Sequence, residues 1–224
     1  MSIAAAPSFE GFFSFSIRAQ RELRIVSDRL TIVRTWQGGS LELPADGSTH
    51  FLYAFSGASE LRVRVGAFPF SEGMYCCLTE GRVQGGGCGI GISHGDFSGV
   101  FQIGGPLEAR GRLRYIDGCT DSLLIPPALR GDPCLNHLHI PPRTRQTLHT
   151  HPSVRIGVIA SGEGRCLLPD CEEQLHPGLG FVIAKDTRHA FVTDESSLAV
   201  VVYHPETDTG PTHEDHPMIN RTIL

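Results

Sequence analysis

The stretch TLHTHPSVRIGVIASGEG, residues 147–164, sets His149 and His151 one residue apart at the head of an apolar, glycine-punctuated run. On a strand, positions i and i+2 project from the same face, so two imidazoles there converge on one point without backbone distortion. Neutral imidazole suits Fe, Zn, Cu and Ni, and a third ligand is needed before such a pair can hold an ion with an open coordination position. His189, in GLGFVIAKDTRHAF at the start of another apolar run, is the candidate for that third ligand.

A second His-x-His precedes the first. His137 and His139 in CLNHLHIPP are alternative ligands if the later pair is misread, and are otherwise expected to face substrate, His137 in binding and His139 in catalysis. Tyr203 and His204 close the apolar run VVVYH and are placed at the pocket mouth, with a catalytic role for Tyr203 and packing as the plain alternative. Cys166 and Cys171 flank a hairpin-like LLPD, and the adjacent Cys76 and Cys77 point to opposite faces of a strand. All seven cysteines read as reduced thiols.

The elements that must carry these side chains are strands. Gly 26 and Pro 15 separate short β-branched and aromatic runs, and sustained helical periodicity is nearly absent. LRIVSDRLTIVRTW reads as two strands flanking a Ser-Asp turn, and ELRVRVGAF alternates Leu61, Val63 and Val65 against Arg62 and Arg64. GVFQIGG, RLRYIDG, CLNHLHI, VRIGVIA, GRCLLPD, GFVIAKD and LAVVVYH are further strand candidates. The glycine-rich GRVQGGGCGIGISHGDFSG lacks Gly-Lys-Ser/Thr and reads as turns between edge strands rather than a phosphate loop. A boundary falls near residues 103–111, giving an all-β chain with domains at 1–105 and 106–224. The two halves share a faint pattern of an apolar strand, Ser-Gly, a second strand and a glycine.

Composition excludes several partners. The chain has 224 residues, 40% hydrophobic and 19% charged, and its 19 Lys and Arg are outnumbered by 24 acidic residues for a net charge of −5. No basic stripe is available to displace counterions from nucleic acid. No apolar run approaches the roughly 18 residues of a spanning helix, and Glu10 interrupts the N-terminal apolar run. The expectation is a cytoplasmic protein with no nucleic-acid or membrane partner. The polar tail HPETDTGPTHEDHPMINRTIL is expected to pack over a barrel or a neighbouring subunit, as in a homodimer.

Residues 130–205 resemble the cupin family. His149, His151 and Gly162 fit its first motif, and Gly178 and His189 fit its second, with Ala184 and Asp186 where that motif has proline and glycine. The resemblance implies a double-stranded β-helix (jelly-roll) with a metal inside, and extends faintly to the first half, which suggests a bicupin with a degenerate N-terminal barrel. Where the family places a metal-binding Glu, this sequence has Arg155, which neither coordinates a cation nor loses its proton. The site is therefore three-histidine, or not a metal site at all. If Arg155 points into the barrel beside a dication, an anion must lie between them, and a substrate carboxylate gripped bidentately is the natural candidate. Pairing with an internal acid, or a solvent-facing position, is the alternative.

The implied cofactor is one divalent metal per chain, Zn2+ or Fe2+. Iron implies dioxygenation of a small thiol, diketone or aromatic acid. Zinc implies Lewis-acid rearrangement, and phrases such as GDPCLNHLHIPP and DTGPTHEDHPMINRT are similar to cupins of bacterial secondary metabolism that join two amino acids through an N–N bond beside a synthetase-like partner. A non-enzymatic sensor or storage cupin is the rival from another class.

Overall fold

The computed structural model describes residues 10–26 and 30–206. Its described residues form twenty strands and one 3-10 turn, Ile116–Gly118. The first ten strands are β1 (Phe12–Ser16), β2 (Arg21–Val26), β3 (Leu30–Gln37), β4 (Ser40–Leu43), β5 (Thr49–Ser56), β6 (Ala58–Val63), β7 (Gly66–Ser71), β8 (Tyr75–Leu78), β9 (Gly81–Gly85) and β10 (Cys88–His94). The rest are β11 (Gln102–Gly104), β12 (Leu113–Arg114), β13 (Thr120–Ile125), β14 (Cys134–Ile140), β15 (Arg155–Gly162), β16 (Gly164–Leu167), β17 (Glu172–Leu175), β18 (Leu179–Ile183), β19 (Ala190–Val192) and β20 (Leu198–His204).

These strands make two sandwich units. The first packs the sheet β11-β8-β5-β10-β3-β2 on β4-β9-β6-β7, and the second packs β1-β18-β15-β20-β14-β13-β12 on β17-β16-β19. Both large sheets centre on one order, β8-β5-β10-β3 in the first and β18-β15-β20-β14 in the second. The leading strand crosses over: β1 pairs with β18, from Phe12↔Ile183 to Ser16↔Leu179, while β11 pairs with β8 on the matching edge of the first sheet. The 1–105 segment thus sends its first strand into the sheet of the 106–224 segment.

Alternation along each strand assigns side chains to three cores. Trp36, Leu52, Leu61 and Phe70 fill the first unit. Leu138, Ile159, Phe181, Leu198 and Val200 fill the second. Between the two large sheets, Phe51, Tyr53, Ile90 and Ile92 meet Leu135, Ile156, Val201 and Tyr203. Each such fully buried side chain contributes about 1.5–3 kcal/mol, so the face joining the units is as much a core as either interior. Cys76 lies in the first interior and Cys77 between the sheets, as their adjacency requires. All seven cysteines are free thiols.

Two local readings change. The glycine-rich stretch is not a set of turns at sheet edges: it supplies β9 and the wholly buried β10, which lies between β5 and β3 at the centre of its sheet. Gly89 is there because a Cβ would stand 2.3 Å from the Trp36 ring and from the Tyr53 carbonyl. Val65 belongs to the turn after β6 and is exposed, so the inward alternation ends at Val63. The Ser-Asp turn of residues 27–29 and the tail from 207 onward lie outside the described residues.

Candidate metal centre

His149 and His189 face each other across an isolated antiparallel bridge, each backbone N–H donating to the other's carbonyl at 3.0 Å. The His151 carbonyl accepts from the Asp186 N–H at 2.9 Å, which ties the rest of the His-x-His segment to the turn before His189. The segment is thus irregular backbone just ahead of β15 rather than part of a long strand, and the imidazoles still converge. Ring centroids lie 5.0 Å apart for His149–His151, 4.6 Å for His149–His189 and 5.1 Å for His151–His189. One nitrogen from each ring falls within 4.8 Å of the other two, and this is the one three-donor cluster among the described residues.

Backbone carbonyls set the tautomers. His149 Nδ1 lies 2.7 Å from the Thr147 carbonyl and His189 Nδ1 lies 2.9 Å from the Thr187 carbonyl. A carbonyl only accepts, so each Nδ1 carries its proton and each Nε2 presents a lone pair. Thr147 is itself braced: its N–H donates to Asp117 Oδ2 at 2.6 Å and its hydroxyl to Oδ1 at 3.2 Å. Burial, reinforced by the Arg155 charge and the neighbouring rings, pushes His151 down to about 3. Burial likewise brings His189 down to about 4, against the opposing pull of its bond to Thr187. Both rings are therefore neutral at neutral pH, the form that ligates metal.

Behind the histidines the second unit has a small pocket of about 40 Å³, walled by Leu138, Phe181, Phe191, Val200 and Val202, with Tyr115, Gln146, Arg155 and His204 supplying polar groups. Arg155, at the first position of β15, is buried and points into this space. Its Nη1 donates to Ser153 Oγ at 2.6 Å, to the Ser153 carbonyl at 3.1 Å and to the Val154 carbonyl at 3.2 Å. His204 is held well below its ordinary range by burial, then by Arg155 and His151.

Three residues expected at the site are elsewhere. Leu138 lines the cavity, so strand alternation turns His137 and His139 to the opposite face of β14. Tyr203 stands opposite Ile156 in the core between the units, its hydroxyl bonded to His94 Nδ1, and neighbouring His204 takes the inward position. Of the pair expected at the pocket mouth only His204 lines the cavity, and β20 gives no warning because both its faces are apolar. Tyr115 and Gln146 were missed altogether. Gln146 is placed by a two-bond clasp with the Phe191 backbone, which no sequence motif announces. In the first unit His50 is closed off, with Nδ1 on Ser93 Oγ at 2.7 Å and Nε2 on the Pro44 carbonyl at 3.0 Å.

Residues 136–205 match the family model described as the cupin domain. The second unit has the cupin fold. No curated protein matches the sequence. Among solved structures the chain is similar to protein Ylba from E. coli, with a TM-score of 0.65 at 15% identity over 94% of this chain and 97% of that one. It is also similar to a cupin 2 conserved barrel domain protein from Leptotrichia buccalis, at 0.63 and 13% over 91% and 92%. A salicylate 1,2-dioxygenase from Pseudaminobacter salicylatoxidans matches at 0.64 and 9% over 91% and 86%. These likenesses show the fold. The family match lies wholly within the second unit, where Gly162 of the first motif adopts φ +79° and a Cβ there would meet the Ser197 carbonyl oxygen at 1.8 Å. No helix among the described residues is long and apolar enough to cross a membrane.

Proposed function

We propose that the cupin domain is a metalloenzyme centre in which His149, His151 and His189 hold one divalent metal and Arg155 binds the carboxylate of a small aromatic or amino-acid-like substrate. The observation that carries this reading is the convergence of the three rings, with two Nδ1 atoms tied back to carbonyls so that Nε2 lone pairs face the common point. The donor set fits the group: neutral imidazoles suit Zn2+ and Fe2+, and three protein ligands leave an open position.

A bound metal would supply Lewis acidity, and iron would add redox chemistry with oxygen. The chain's own residues do the rest. Arg155 is a permanent cation in an apolar cavity, where a charge-assisted contact to a carboxylate is strong and directional. Leu138, Phe181, Phe191 and Val200 exclude water from the bound substrate. Neutral His204 offers one donor and one acceptor nitrogen beside the carboxylate.

Iron-dependent dioxygenation of an aromatic acid is the first reaction to test, in keeping with the salicylate dioxygenase among the structures of like fold. The zinc reading, a rearrangement such as N–N bond formation with a synthetase-like partner, rests on the carboxylate-binding arginine. Anaerobic reconstitution with Fe2+, followed by oxygen uptake with salicylate, other aromatic acids and amino acids, separates the two. Substrate-dependent uptake that His149→Ala abolishes supports dioxygenation. Tightly held zinc with no uptake rules it out, and ligand binding that survives loss of all metal makes the protein a binding module.

A further inference from the structure

On the far side of β14 from the cavity, His137 and His139 are nine-tenths or more buried. Both ring nitrogens of His137 and Nδ1 of His139 are enclosed without a hydrogen-bond partner. A neutral imidazole has one N–H to donate and one lone pair to fill, and each buried polar group left unpaired costs on the order of 1–3 kcal/mol. Apolar side chains would pack this face with no such penalty, as Leu135, Val201 and Tyr203 do beside it. Two imidazoles thus share one strand face with three unpaired ring nitrogens between them, and neutral imidazole nitrogen is a ligand for transition metals.

The surroundings form a cover. His137 stands opposite Ser122 and His139 opposite Thr120 on β13. Those hydroxyls accept from the N–H groups of Arg112 and Gly111 at 3.1 and 3.0 Å, which lays the segment before β12 across this side of the sheet. Glu108, ion-paired with Arg112 on that segment, acts electrostatically on His137, and the exposed Arg110 acts on His139 from the same segment.

We propose that His137 and His139 form a second transition-metal site, distinct from the cupin-domain centre and separated from it by the thickness of the large sheet. It takes a borderline cation of the Zn2+, Ni2+ or Cu2+ class, with water completing the coordination and Glu108 as the acidic side chain of the cover that acts on His137.

The test is equilibrium dialysis of the full chain against Zn2+, read by elemental analysis. Wild type is expected to bind two equivalents. His149→Ala/His151→Ala/His189→Ala should retain one, and His137→Gln/His139→Gln should also bind one. A single wild-type equivalent that the triple variant loses overturns the second site, as does a second equivalent that survives the His137→Gln/His139→Gln change. Failure of the cupin-domain centre alone looks different: one wild-type equivalent that persists in the triple variant. Should the glutamine variants not fold, zinc-edge anomalous diffraction from wild-type crystals decides. A peak between His137 and His139 is expected, and its absence in zinc-saturated crystals overturns the proposal.

Discussion

In the proposed function Arg155 is the residue on which the chemistry turns, because a fixed cation stands where the cupin motif has a metal-binding acid. Arg155→Leu should leave the metal in place, since it removes a like charge rather than a ligand. Carboxylate binding should weaken by about 2–5 kcal/mol, the range for breaking a buried charge-assisted contact, as measured by calorimetry on the metal-loaded protein. Unchanged affinity would make the arginine a structural brace for Ser153 and Val154. Asp121 offers an independent check on the interior. Its carboxyl accepts from Asn136 Nδ2 at 2.8 Å, yet burial raises it to about 6 from an ordinary 3.8. Between those values the folded protein holds more protons than the unfolded chain, so this group's contribution to stability falls as pH rises from about 4 to about 6 and is flat above. Asp121→Asn should remove that slope and stabilise the fold at neutral pH by about 1–2 kcal/mol, allowing for partial exposure. Denaturant titrations across that range would show it.

At the scale of elements, legibility followed periodicity. The β14 and β20 boundaries were readable as CLNHLHI and LAVVVYH because apolar and β-branched residues fill them and polar or proline-bearing segments bound them. Which face each side chain takes was not readable, because both strands are buried on both sides and parity leaves no pattern. That is why the three-histidine cluster, fixed by motif spacing, was legible while the places of Tyr203 and His139 were not. Glycines misled for a related reason. In β10 they relieve close packing against Trp36 instead of making turns, and that contact is invisible in one dimension. Gly162 is the opposite case, a motif glycine whose positive φ and contact with Ser197 admit no side chain. Gly162→Ala should destabilise by about 2 kcal/mol or more, a loss of roughly 4–8 °C in melting temperature for a chain of this size. A thermal scan showing no change would mean that the turn can relax.

For the molecule as a whole, the exchange of β1 and the core between the large sheets make the two units interdependent. The fragment 106–224 lacks β1 and exposes Ile156, Val158, Val201 and Tyr203, which pack against the first unit in the full chain. Expressed alone it should self-associate or show a collapsed near-ultraviolet circular dichroism signal. A monomeric fragment with native-like spectra would show that the joint core is dispensable. The shared order of the two large sheets, with His50 locked between Ser93 and Pro44, fits a first unit that supports the second rather than repeating its chemistry. The most direct test of the central claim is anomalous diffraction at the iron and zinc edges from crystals of the purified chain. The account predicts a peak among His149, His151 and His189 with Nε2 atoms about 2.0–2.2 Å away; metal-saturated crystals in which those rings turn apart around no peak would contradict it.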